Sequence, residues 1–169
     1  MGRNILILGG ARSGKSGFAE ELAGAMQGEF LYIATAQALD DEMTDRIARH
    51  RAGRGDHWHT VECPIDLPAV LQEIAHANSV ILIDCLTLWL SNLMLVDHDI
   101  AAARSALVET IMSSAGTILL VANEVGQGIV PVNALARRFR DEAGWLNQAV
   151  ARAADDVWFV TAGIPQQLK

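Results

Sequence analysis

The sequence predicts an α/β domain whose mainly parallel sheet is flanked by helices. Three observations predict it. Short apolar runs alternate with longer helical patterns along the chain. The runs are rich in Val, Ile and Leu and lack polar alternation, as strands buried on both faces do. A glycine-rich turn follows the first run directly and leads into an amphipathic pattern.

In order, Ile5–Leu8 is fully apolar and runs into Gly9-Gly10. Lys15–Met26 reads as a helix, with Phe18, Ala19, Leu22, Ala23 and Met26 on one face. Phe30–Ala34 is the second strand, Asp41–Arg51 the second helix and His57–Glu62 a weaker third strand. Asp66–Ala77 is helical, Val80–Ile83 is an apolar strand, and Leu86–Leu95 and Ile100–Ser113 are helices. Ile118–Ala122, the helix Asn133–Ala154 and the strand Val157–Thr161 complete the set. In such sheets ligands sit beyond the carboxyl ends of the strands. That directs attention to Gly9–Ser16, Thr35–Gln37, Glu62, Asp84 and Asn123–Gly128.

A length of 169 residues suits one domain, residues 1–169, with one core. With 13 Lys+Arg against 20 Asp+Glu, the net charge of −7 argues against nucleic-acid binding. A phosphorylated ligand remains compatible if the few basic residues gather in one place. Cys63 and Cys85 form no Cys-x-x-Cys, which fits a reducing cytoplasm and argues against a disulfide framework or structural zinc site. No export signal is evident. Val80–Val96 is the most membrane-like stretch, but Asp84, Thr87, Ser91 and Asn92 make it a strand and helix rather than a span.

Gly9-Gly10-Ala11-Arg12-Ser13-Gly14-Lys15-Ser16 fits the phosphate-loop pattern in full. Glycines let the backbone wrap closely, so that its N–H groups point at phosphates. The helix starting near Lys15 adds the positive end of its dipole. Lys15 brings a charge to phosphate oxygens, and the Ser16 hydroxyl can ligate Mg²⁺. Nucleoside triphosphate binding follows. Asp84, at the end of an apolar run, resembles a Walker B acid that holds Mg²⁺; it also reads as a cap of the next helix.

Longer motifs occur in one order. They are the phosphate loop at 9–16, Tyr32-Ile33-Ala34-Thr35-Ala36, Asp40-Asp41-Glu42-Met43, Arg46-Ile47-x-x-His50 and Asn123-Glu124-Val125-Gly126-x-Gly128-Ile129-Val130-Pro131. Leu135-Ala136-Arg137-x-Phe139-Arg140-Asp141-x-Ala143-Gly144-x-x-Asn147-Gln148 follows. Across essentially the whole chain these resemble the bifunctional adenosylcobinamide kinase/adenosylcobinamide-phosphate guanylyltransferases of cobalamin biosynthesis. The resemblance implies a RecA-like P-loop NTPase fold, a homotrimer and two reactions. ATP or GTP phosphorylates adenosylcobinamide. A histidine then takes GMP from GTP with loss of pyrophosphate, and adenosylcobinamide phosphate receives it as adenosylcobinamide-GDP.

By motif position His50 matches the guanylylated histidine. A neutral imidazole is a competent nucleophile near pH 7, and a covalent intermediate divides one hard transfer into two easier ones. On a helix Arg46 and Arg54 would share the face of His50, where they could hold phosphate oxygens. The arginines read equally as a solvated helix face. The resemblance also implies nucleotide contacts from Thr35, Ala36, Gln37, Arg51, Ala52, Gly53, Arg54 and Glu62. Some family members carry Glu where this chain has Asp84, which makes acidity surer than direct Mg²⁺ contact.

Further readings stay open. Thr35–Gln37 also suits a turn and helix cap, and Glu62 a surface carboxylate. His57 and His59 would share one face of a strand, but no third metal ligand is evident. Gly126, Gly128 and Pro131 suggest a shaped loop able to fold over a large substrate. Arg137, Arg138 and Arg140 suit a substrate phosphate or an outer face, and the apolar helix at Trp89 suits core or a subunit interface. A small-molecule kinase without transferase activity explains the loop and Asp84 but not the motif set. A non-catalytic GTP-binding regulator leaves the neighbourhood of His50 without a purpose.

Overall fold

Apolar runs become strands here because each buries both its faces. In the computed structural model of the protein the strands are β1 (Asn4–Gly9), β2 (Glu29–Ala34), β3 (His59–Glu62), β4 (Ser79–Asp84), β5 (Thr117–Asn123), β6 (Asp156–Thr161) and β7 (Ile164–Gln167). The helices are α1 (Lys15–Gly24), α2 (Leu67–Ile74), α3 (Leu86–Leu95), α4 (Ile100–Ser113) and α5 (Ala134–Ala153). The structure describes residues 2–37, 44, 45, 48 and 55–169. The expected helix over 41–51 falls largely outside these residues, as do His50 and 51–54.

One sheet runs in the order β3-β2-β4-β5-β1-β6-β7. All neighbours are parallel except β6 and β7. Side chains alternate between the two faces. Leu6, Ile33, Ile83 and Leu120 meet α2 to α5, whereas Ile7, Tyr32, Leu82 and Val121 meet α1. The expected face of α1 is the one it buries: Ala19 and Ala23 fully, with Phe18, Leu22 and Met26 at the margin. Trp89, Leu90 and Leu93 of α3 are buried in the first cluster, whereas Leu95 at its end is exposed.

Four expectations shift, each for a local reason. α1 ends at Gly24, and Met26 N–H turns back to the Ala23 carbonyl at 2.9 Å. α2 stops at Ile74 because Ser79 Oγ donates to the His76 carbonyl (2.8 Å) and accepts the His76 N–H (3.1 Å), forming a tight turn. β3 begins only at His59, since His57 lies in a turn with its ring 5.1 Å from Phe30. The two histidines therefore do not share a strand face, and among the described residues no cluster of three metal-ligating side chains exists. β7 has no counterpart among the expected strands. It pairs antiparallel with β6 across Ala162-Gly163, both at positive φ, and carries Pro165 where an edge strand tolerates it.

Side-chain caps fix two helix starts. Asp99 accepts the Ala102 N–H at 3.0 Å, and Asn133 accepts those of Leu135 (2.8 Å) and Ala136 (3.2 Å). Among the described residues no helix is long and apolar enough to cross a membrane.

Candidate active site

The loop between β1 and α1 turns on two left-handed residues, Arg12 at φ 55° and Gly14 at φ 96°. Several of its carbonyls are engaged by neighbours. Gly9 O accepts from Glu124 N (3.0 Å), Gly10 O from Ser13 N (3.3 Å), Ser13 O from Gly163 N (2.8 Å) and Gly14 O from Phe18 N (3.0 Å). With these acceptors turned to protein donors, the loop is suited to offer N–H groups to an anion. Two glycines are demanded by close approach. A Cβ on Gly9 would lie 2.4 Å from Ser13 Oγ and 2.6 Å from the Val160 carbonyl. One on Gly14 would need an unfavourable φ and would lie 3.1 Å from Gly163 Cα.

Lys15 opens α1 and is buried, with Nζ donating to the Gly10 carbonyl at 3.1 Å. Its ammonium thus lies across the loop it belongs to. Ser16 follows, half-buried, on the first turn of the helix. Gly10, Ala11 and Arg12 complete the rim. Ser13 Oγ and Asn123 Oδ1 are buried without a hydrogen-bond partner among the described residues.

Asp84 ends β4 half-buried and projects to the face that α1 covers, as strand alternation from Val80 and Leu82 requires. Its Oδ2 accepts from the Tyr32 hydroxyl at 3.0 Å. The cap position of α3 is held by Cys85, so Asp84 is not that helix's cap. Burial, and then the Asp84 charge, push the Cys85 thiol up to about 11. It is therefore protonated and unsuited to nucleophilic attack near neutral pH. Ser16 and Asp84 are both hard oxygen donors. That set fits Mg²⁺ of the kind held by one or two side chains plus substrate phosphates.

Thr35 directly follows β2. Its side chain is fully buried; Oγ1 donates to the Cys85 carbonyl (2.7 Å) and accepts the Cys85 N–H (2.8 Å). The hydroxyl clamps the end of β2 to the end of β4. Ala36 and Gln37 follow, partly exposed, on the same edge, and Glu62 ends β3 exposed. Asn123 ends β5 between Asp84 and Gly9, in register with Gly9. Arg137 holds its own loop through the Pro131 carbonyl at 2.9 Å, and Arg140 pairs with Asp141 at 3.1 Å. Neither is thereby committed to a substrate phosphate. His50, Arg51, Ala52, Gly53 and Arg54 lie outside the described residues.

Sequence reading missed two contributors. Asn92, buried on α3, donates to the Thr35 (2.7 Å) and Pro64 (3.1 Å) carbonyls and ties the ends of β2 and β3 together. A lone Asn in an apolar helix was the available signal. Gly163 braces the phosphate loop from the turn before β7, and nothing in the local sequence announces that contact.

Comparison with known proteins agrees with this geometry. The fold is that of P-loop NTPases. The P4 protein from bacteriophage phi6, in complex with ADP, superposes with a TM-score of 0.53 at 12% identity, covering 97% of this chain and 52% of that one. A second solved structure, described as an ATPase domain, gives 0.51 at 11% identity, covering 93% and 68%. Curated relatives are closer. The bifunctional adenosylcobalamin biosynthesis protein CobP of Pseudomonas aeruginosa is 52% identical over 97% of this chain and 96% of its own length. The CobU proteins of Escherichia coli and Salmonella typhimurium are 42% and 43% identical, each over 98% of this chain and 99% of their own. A model of the CobU family, described as cobinamide kinase / cobinamide phosphate guanyltransferase, matches residues 5–168. A chain matched over that span, with a phosphate loop and acidic strand end built as described, is an enzyme of the cobinamide kinase / cobinamide phosphate guanyltransferase family.

Proposed function

We propose that the chain phosphorylates adenosylcobinamide with ATP or GTP and then guanylylates the product. In the first step the aminopropanol hydroxyl of adenosylcobinamide attacks the terminal phosphorus of the triphosphate. The P–O bond to the nucleoside diphosphate breaks, and the hydroxyl proton is released. In the second step a ring nitrogen of His50 attacks the α-phosphorus of GTP; a P–N bond forms and pyrophosphate leaves. The phosphate oxygen of adenosylcobinamide phosphate then attacks that phosphorus, the P–N bond breaks, and adenosylcobinamide-GDP results.

The observation that carries the reading is the common face of the phosphate loop, Lys15 and Asp84. All three sit at the carboxyl edge of the sheet on the side covered by α1. Lys15 neutralises phosphate oxygens, and its Nζ already lies against the loop that would cradle them. Ser16 and Asp84 would hold Mg²⁺, which when bound offsets phosphate charge. The assignment of His50, with Arg51, Ala52, Gly53 and Arg54 beside it and Thr35, Ala36, Gln37 and Glu62 toward the nucleotide, is supported by the ordered motifs. A homotrimer belongs to the same reading, and the exposed apolar loop at Ile129 and Val132 is its candidate contact.

The test is intact mass after incubation with GTP and Mg²⁺. Wild type gains an acid-labile adduct the size of GMP, as a phosphoramidate should be, and His50→Ala gains none while retaining kinase activity. A wild-type protein that never carries the adduct would reduce the function to a kinase alone.

A further inference from the structure

The chain has a single tyrosine, and it is 3% exposed. A phenol buried that deeply needs a partner for its hydroxyl. In the β2–β4 ladder Tyr32 stands opposite Leu82, and Ala34 stands opposite Asp84. Tyr32 therefore reaches Asp84 along the diagonal of one sheet face, a span that an aromatic side chain covers. Its hydroxyl donates to Asp84 Oδ2 at 3.0 Å. The ring cannot swing away easily. Trp58 meets it edge-on at 6.0 Å, and Trp58 is in turn set against Phe30 at 5.3 Å. The carboxylate itself has a broad torsional preference, so this donor restricts its rotation.

We propose that Tyr32 is a positioning residue for the cation of the nucleotide site. It holds Asp84 by Oδ2 and keeps Oδ1 for the cation or one of its waters. The proposal rests on the reading of Asp84 as the cation-facing acid. Mutating the hydrogen-bond partner of a metal ligand typically costs roughly 10–100-fold in metal affinity or activity. Tyr32 touches neither nucleotide nor cation in this scheme and acts through Asp84.

The experiment uses the whole chain with α,β-methylene GTP, which resists attack at the α-phosphorus, and no corrinoid. Tyr32→Phe keeps the ring and removes only the donor. It should raise the Mg²⁺ concentration for half-maximal tightening of analogue binding by about tenfold, with binding in EDTA unchanged. Biosynthetic 3-fluorotyrosine supplies a second readout, because one tyrosine gives one ¹⁹F resonance. Adding Mg²⁺ to the analogue complex should shift that resonance in wild type and not in Asp84→Asn. If Tyr32→Phe responds to Mg²⁺ as wild type does while Asp84→Asn does not, the positioning role is overturned and the reading of Asp84 stands. If Asp84→Asn also responds as wild type, the reading of Asp84 fails and the proposal with it. Should Tyr32→Phe not fold, the fluorine signal decides: a resonance indifferent to Mg²⁺ overturns the proposal.

Discussion

A methyl group at position 9 has nowhere to go. Its neighbours are Ser13 Oγ, which could rotate, and the Val160 carbonyl, which belongs to the adjoining strand and cannot. Gly9→Ala should cost about 1–3 kcal/mol of stability, seen as a lower urea midpoint, and should weaken nucleotide binding as the loop shifts. Gly10→Ala is the contrast: its Cβ meets nothing within 4 Å among the described residues. It should unfold at the wild-type midpoint, so any loss of nucleotide binding there reports the approach of a ligand. An equal loss of stability in both variants would contradict this account. At this scale the sequence was most informative where a motif has a fixed backbone form. Gly9, Gly14, Lys15 and Ser16 occupy the places their spacing implies. Thr35 was legible only as a strand-end hydroxyl. Whether such a hydroxyl faces ligand or backbone depends on what the next strand brings alongside, here the Cys85 peptide.

Between elements, the site edge is held by side chains that never reach it. Asn92 is 5% exposed and bridges the Thr35 and Pro64 carbonyls. Replacing it with Ala leaves the buried Thr35 carbonyl and the part-buried Pro64 carbonyl without this donor. Asn92→Ala should destabilise by about 2 kcal/mol or more, measured by urea unfolding. It should also speed hydrogen exchange at Thr35 and Cys85 more than at β6; uniform acceleration would mean that the bridge is not local. Strand existence was readable wherever a run was apolar, because burial on both faces leaves that mark. β7 was not readable. Ile164-Pro165-Gln166-Gln167 is half polar, and its pairing depends on a two-residue turn of Ala162-Gly163 rather than on its own composition. The early end of α2 was equally hidden, since it depends on Ser79 reaching back to His76.

For the whole molecule, Ile129 and Val132 are each 97% exposed, in a loop that also exposes Val130 and leads into the exposed Leu135 at the start of α5. If the proposed homotrimer forms through this loop, sedimentation velocity should give three times the chain mass. Ile129→Asp with Val132→Asp should reduce it to that of one chain. A wild type that sediments as one chain at micromolar concentration would remove the trimer from the reading. The order of strands is the property least accessible to sequence, because β5 enters between β1 and β4 through pairings far apart along the chain. The same remoteness governs the phosphate loop. Arg3 and Asp156, joined at 2.6 Å, are 153 residues apart, and β6 and its turn supply Val160 and Gly163 to the loop's walls. A ribosome therefore makes the nucleotide-binding loop early and its supports late. Until residues 156–164 emerge, the nascent chain carries the phosphate-loop sequence without the surroundings that hold its shape, and nucleotide would be a poor ligand for it during synthesis.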